Sequence, residues 1–184
     1  MAPILLAISL ILNATPAQAL PAQVLLIRHG EKPDQGNDLS EQGWARAKAL
    51  PQLFQRPEFS VFGPPAVLFA QKPKADGTQI RPFQTLQFVA SSFKQAVDVD
   101  FARDDVAGIT HEILRNPAYE GKMVVVCWEH KVLEDIAVAL GVNPRPNYPN
   151  DQFDRAWLLT YSTSDTAPRF EDLPEHLLPG DSAN

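Results

Sequence analysis

Val24-Leu25-Leu26-Ile27-Arg28-His29-Gly30-Glu31 decides how this chain is read. Its first half is an unbroken apolar run, the mark of a strand buried on both faces of a sheet. Its second half turns abruptly polar and carries two cationic side chains beside a glycine. Working outward, strand and helix patterns alternate. Ser40 is placed to cap a helix running to about Gln55, with Leu39, Trp44, Ala47, Leu50 and Phe54 mostly at helical spacing. Ala66 to Ala70 reads as a second strand, followed by a polar loop from Gln71 to Gln79. Arg81 to about Ser92 reads as a helix with Pro82 in its first turn. Val97 to Phe101 is a third strand, and Asp105 caps a helix through Leu114. Lys122 to Cys127 is the strongest strand signal. Val132 to Leu140 is a helix stopped by Gly141, and Ala156 to Tyr161 is a last strand. The tail from Pro168 is weakly patterned. This alternation predicts a three-layer α/β/α sandwich with a mostly parallel sheet.

Composition narrows the function. The 184 residues hold 16 Lys plus Arg and 22 Asp plus Glu, a net charge of −6. That balance argues against non-specific nucleic-acid binding, which needs cations facing phosphates. It leaves room for a small cationic pocket. A single Cys excludes an intramolecular disulfide framework and a multi-Cys zinc site. Cys127 lies in a strand pattern and reads as a core residue. The 17 prolines exceed the usual share of about 5% and predict stiff connections.

Residues 1–19 contain no Asp, Glu, Lys or Arg. Ile4 to Leu12 is apolar except for Ser9, and Ala17-Gln18-Ala19 places small residues before Leu20. The pattern is that of a secretory signal peptide cleaved after Ala19, leaving one domain over residues 20–184. The apolar run is shorter than the roughly 20 residues of a membrane span, so no stable membrane insertion is expected after cleavage. Export, to the periplasm of a bacterium, is the expectation.

In α/β sheets, ligands gather at the carboxyl ends of the strands. There this chain places Arg28 and His29 after the first strand and Glu129 and His130 after the strongest one. Arg81 follows the loop after the second. Arg presents a fork of donors matched to phosphate oxygens, and a neutral imidazole can attack phosphorus. Gly30 lets another backbone approach behind the nucleophile. The set suits phosphoryl transfer.

These residues also carry a resemblance. Leu26-Ile27-Arg28-His29-Gly30-Glu31 resembles the Arg-His-Gly signature of the histidine phosphatase superfamily, which includes the phosphoglycerate mutases and acid phosphatases. Leu39-Ser40-Glu41-Gln42-Gly43 resembles its first-helix opening. Arg81-Pro82-Phe83-Gln84-Thr85 resembles its second phosphate-binding Arg and the Gln/Thr pair after it. Val124 to His130 resembles the strand that ends in the second catalytic His. The match spans roughly residues 23–140. It implies a phosphoglycerate mutase-like fold and hydrolysis of a small phosphorylated substrate through a phosphohistidine on His29. Arg28, Arg81 and His130 would hold the phosphoryl oxygens, and no metal or other cofactor would be required. The general acid stays open between Glu129 and Asp104, because Lys131 stands where some members have an Asp. Glu129 has the alternative of orienting a neighbouring Arg or His. Lys32, Lys72 and Lys74 could add positive field near the pocket. A phosphate-moving mutase and a non-catalytic phosphate- or phosphosugar-binding protein are the competing readings. The short chain and the export pattern argue against the first, and the full set of phosphate-binding residues argues against the second.

Overall fold

The computed structural model describes residues 20–162 and 167–183. The expected signal peptide lies outside them. The described residues form six strands: β1 (Gln23–Arg28), β2 (Val67–Ala70), β3 (Val97–Asp98), β4 (Met123–Trp128), β5 (Arg155–Thr160) and β6 (Arg169–Pro174). Five α-helices accompany them: α1 (Glu41–Ala49), α2 (Pro57–Ser60), α3 (Arg81–Phe93), α4 (Val106–Arg115) and α5 (His130–Ala139). The strands make one sheet in the order β3-β2-β4-β1-β5-β6. The β3, β2, β4 and β1 pairings are parallel, while β5 runs antiparallel to both its neighbours.

Alternation along β1 splits the core into two layers, because successive side chains point to opposite faces. Val24 and Leu26 join Ile109 and Ile113 of α4 and Leu133 and Ile136 of α5. Leu25 and Ile27 join Leu86 and Val89 of α3 and Leu53 after α1. The sandwich therefore has three layers. Cys127 is fully buried between the sheet and α3.

The chain leaving β1 goes to the α3 face, and the chain leaving β4 goes to the α4–α5 face. β1 and β4 are neighbours with Arg28 opposite Trp128. Their carboxyl ends thus form a switch point, where two connections part and leave a crevice. His29 and His130 stand at its two lips.

Several local expectations hold. The Ser40 side chain accepts from Gly43 N and Asp105 from Gly108 N, each capping its helix. Gly141 follows α5 with φ 104°. Other expectations need correction. The first helix ends at Ala49 and tightens to a 3₁₀ turn over Leu50–Gln55, since Pro51 cannot donate the next α-helical hydrogen bond. α5 starts at His130, not Val132, which puts the second histidine in the helix's first turn. β3 is only two residues long. The weakly patterned tail contains β6, an edge strand whose Phe170 and Leu173 pack into opposite layers. Two apolar residues on opposite faces leave no period-two signal.

Candidate active site

His29 is 7% exposed, and its backbone N donates to Trp128 O at 3.2 Å, carrying the β1–β4 pairing one residue past the strand. Nδ1 lies 2.7 Å from Gly30 O. A carbonyl only accepts, so Nδ1 carries the proton and Nε2 keeps its lone pair. Burial, with help from the Arg28 and Arg81 charges, pushes the imidazole down to about 4 against the pull of the Gly30 carbonyl. His29 is therefore neutral at pH 7, with one defined tautomer and an unprotonated Nε2.

The peptide that sets this tautomer is itself pinned. Gly30 N donates to Thr85 Oγ1 at 2.9 Å, a buried hydrogen bond, and Thr85 Oγ1 donates to Arg81 O at 2.8 Å. The neighbouring Gln84 accepts from Leu39 N at 3.0 Å and donates to Asp38. The first turn of α3 thus holds the loop carrying His29 and presents Arg81 from the same turn. Gly30 also packs on α1: a Cβ there would stand 2.9 Å from Gly43 O.

A cavity of about 140 Å³ opens over His29, lined also by Gln71, Gln79, Arg81, Arg103 and Glu129. Arg81 has Nε on Asp38 O (3.0 Å) and Nη2 on Gly36 O (2.6 Å), with Nη1 uncommitted to either. Arg28 is placed differently. It is 3% exposed, its Nη1 donates to Asn150 O at 2.9 Å and Gln152 O at 2.6 Å, and its guanidinium stacks 3.7 Å over the Phe153 ring. Its Nε is buried with no hydrogen-bond partner among the described residues. His130 Nε2 lies 2.8 Å from Asn150 Oδ1 and so donates to it. Its Nδ1 sits 2.7 Å from Glu129 Oε1 but out of line for a hydrogen bond.

Glu129 faces the cavity, with Oε2 accepting from Arg103 Nη2 at 2.9 Å. Burial opposes its charge, yet the Lys131 backbone N–H, the neighbouring His130 ring and the Arg103 guanidinium outweigh burial and hold the carboxyl below its ordinary range. Asp104 does not line this cavity. Its side chain is 80% exposed and paired with Arg103.

Three contributors were missing from the sequence reading. Arg103 lines the cavity from the loop after β3, with its carbonyl held by Trp128 Nε1 at 2.9 Å. It obeys the strand-end rule used for the others. Asn150 and Phe153 lie before β5, not after a strand. Because β5 is antiparallel, its amino end meets the carboxyl ends of the parallel strands, and a search after each strand passes it by.

Glu31, two residues past His29, turns away and joins a buried cluster. Arg46, 2% exposed, reaches Glu31 (2.7 Å), Glu175 (3.0 Å) and Asp181 (2.8 Å). A wider cavity of about 810 Å³ on that side is lined by Glu31, Glu41, Asp151, Asp154 and Asp181. Lys32 and Arg46 line it as well, but five carboxylates outnumber them and it holds neither histidine; His29 lines the smaller cavity, while Arg28 and His130 line neither.

The three layers, the strand order and the paired histidines at the switch point define a phosphoglycerate mutase-like fold. The comparison with solved structures agrees. The fold is shared with the Agrobacterium tumefaciens protein assigned as the phosphohistidine phosphatase SixA, at 17% identity and a TM-score of 0.56, over 88% of this chain and 100% of that one. It is shared also with the protein histidine phosphatase SixA complexed with tungstate, at 13% identity and a TM-score of 0.55, over 83% and 97%. No protein-family model and no curated protein matches the sequence.

Proposed function

We propose that this protein is a phosphatase that transfers a phosphoryl group to Nε2 of His29 and then to water. The observation that carries this reading is the neutral, tautomer-locked His29 facing a cavity with two arginines. In the first step Nε2 bonds to phosphorus as the bond to the leaving group breaks. Arg81 and Arg103 face the equatorial oxygens, while Arg28 braces the 150–153 segment beside them. The amino end of α5, which begins at His130, adds its dipole beside the site. Water then attacks the phosphohistidine, releasing phosphate and restoring the lone pair.

Glu129 bears on substrate choice. It is the carboxylate in the cavity, and its neighbours hold it ionised. An ionised carboxylate cannot protonate a leaving alkoxide. Substrates that leave without strong acid help fit best: phosphohistidine, aryl phosphates and phosphoanhydrides. Transfer from a substrate imidazole to His29 exchanges one P–N bond for another and is close to balanced. The names of the structural neighbours support a phosphohistidine on a protein as the substrate class. Glu129 serves better as an acceptor that orients the attacking water than as the acid. Export of residues 20–184 belongs to the same proposal, and the mass of the protein recovered from cells tests it.

Hydrolysis of phenyl phosphate and of a phosphohistidine peptide, by wild type and His29→Ala, tests the reading. Turnover by wild type with loss of at least about 10³-fold in the variant is expected. Equal rates refute it.

A further inference from the structure

A second cavity of about 190 Å³ adjoins the catalytic one and shares Gln79 and Arg103 with it. Its other walls are Lys72, Pro73, Lys74, Ala102 and Asp104. Three cations thus face one carboxylate, in a protein whose net charge is −6. Arg103 is already spent on Asp104 and Glu129. Lys72 and Lys74 form no salt bridge among those found in the described residues. Lys74 acts electrostatically on Asp76 without a direct salt bridge; Asp76 Oδ1 accepts from Thr78 N at 2.9 Å and Thr78 Oγ1 at 2.6 Å.

The loop carrying the lysines is held in shape. Lys72 N donates to Phe101 O at 2.8 Å, tying it to the loop after β3. Lys74 N donates to Thr78 O at 2.9 Å and Gly77 N to Lys74 O at 3.0 Å, closing a turn. Gln79, the shared wall, sits in the left-handed region at φ 64°, a conformation unfavourable for a non-glycine residue. Two ammonium groups on a braced loop, neither in a salt bridge among the described residues, favour a further negative charge beside a phosphoryl site. The volume is about six times a water's share of the liquid, room for one carboxylate or one phosphate.

We infer that this cavity is an anion subsite that takes a second anionic group, carboxylate or phosphate, carried by the phosphorylated substrate. The inference rests on the phosphatase reading for the placement of the first group. The substrate then carries a second negative charge close in space to its phosphorus, which on a phosphohistidine protein is a neighbouring acidic side chain.

Calorimetric titration tests it. The probes are methylphosphonate, ω-carboxyalkylphosphonates with two to five methylenes, and alkane bisphosphonates of the same lengths. In wild type at low salt, at least one tethered probe binds about tenfold or more tighter than methylphosphonate. In Lys72→Gln/Lys74→Gln that advantage shrinks to about threefold or less, and 0.5 M salt shrinks it in wild type. The tether series that gains more identifies the anion as carboxylate or phosphate. The subsite is overturned if no tethered probe beats methylphosphonate, if the advantage survives in the double variant, or if no probe gives heat. Phenyl phosphate turnover by wild type and His29→Ala separates the two readings. Equal turnover there removes the phosphatase, while the tether comparison still decides the subsite.

Discussion

Thr85→Val isolates the contact that orders the nucleophile. The two side chains have nearly the same shape, and Thr85 is 1% exposed, so the change removes a hydroxyl and little volume. What it leaves is the Gly30 N–H, buried and without its 2.9 Å acceptor. An unsatisfied buried donor costs about 1–3 kcal/mol. In a domain of this size that lowers the melting temperature by about 2–12 °C. The effect extends to chemistry because the Gly30 peptide also accepts the Nδ1 proton of His29. Once Gly30 shifts to find another acceptor, the imidazole loses its fixed direction, and kcat/KM for phenyl phosphate falls by about 10–100-fold. Thr85→Ser keeps the hydroxyl and restores most of the rate while still losing the packing of a methyl. Thermal melts and steady-state kinetics on the three proteins suffice. A Thr85→Val variant as stable and active as wild type refutes this reasoning, and so does a Thr85→Ser variant as slow as Thr85→Val.

His29 in the native protein titrates near pH 4, below its unfolded value of about 6.5. The unfolded chain therefore binds more protons between those values, and the stability His29 confers above pH 6.5 is lost as pH falls toward 4. An NMR titration of its Hε1 resonance should show that low midpoint, and a midpoint at 6 or above contradicts it. Arg46→Met leaves Glu31, Glu175 and Asp181 facing one another without their cation. Burial already pushes Glu175 up to about 8 against the pull of Arg46. The variant should lose about 3–5 kcal/mol in denaturant unfolding, and a loss under 1 kcal/mol would show the cluster is structurally idle. Arg103→Gln removes a cavity cation and the partner of Glu129, so the KM for phenyl phosphate should rise about tenfold with a smaller change in kcat.

Much of this site can be read from the sequence because its parts obey one rule. Arg28 ends a buried strand, His29, Glu129 and His130 follow buried strands directly, and apolar strand runs are easily seen. Gln84 and Thr85 can be noticed as a pair, but their work cannot: a contact between Thr85 and Gly30 spans 55 positions and depends on how α3 packs against β1. Arg103 hides behind a strand only two residues long. Asn150 and Phe153 hide because β5 reverses direction, so the residues that reach the site precede it. The role of Glu129 needed its neighbours. Beside His130 in sequence it resembles an acid, whereas beside Arg103 in space it is held as an anion. In the fold, β6 escaped because its two apolar residues serve opposite layers, and Pro51 shortened a helix that periodicity alone would extend.

The most direct measurement is chemical trapping of the enzyme during turnover. Mixing the protein with a ³²P-labelled phosphohistidine peptide and quenching in alkali should leave label that is stable to base and labile to acid. Peptide mapping should place it on His29, and it should vanish in His29→Ala. Label on another residue, or sustained turnover by His29→Ala with no labelled enzyme, would contradict a phosphohistidine at this position.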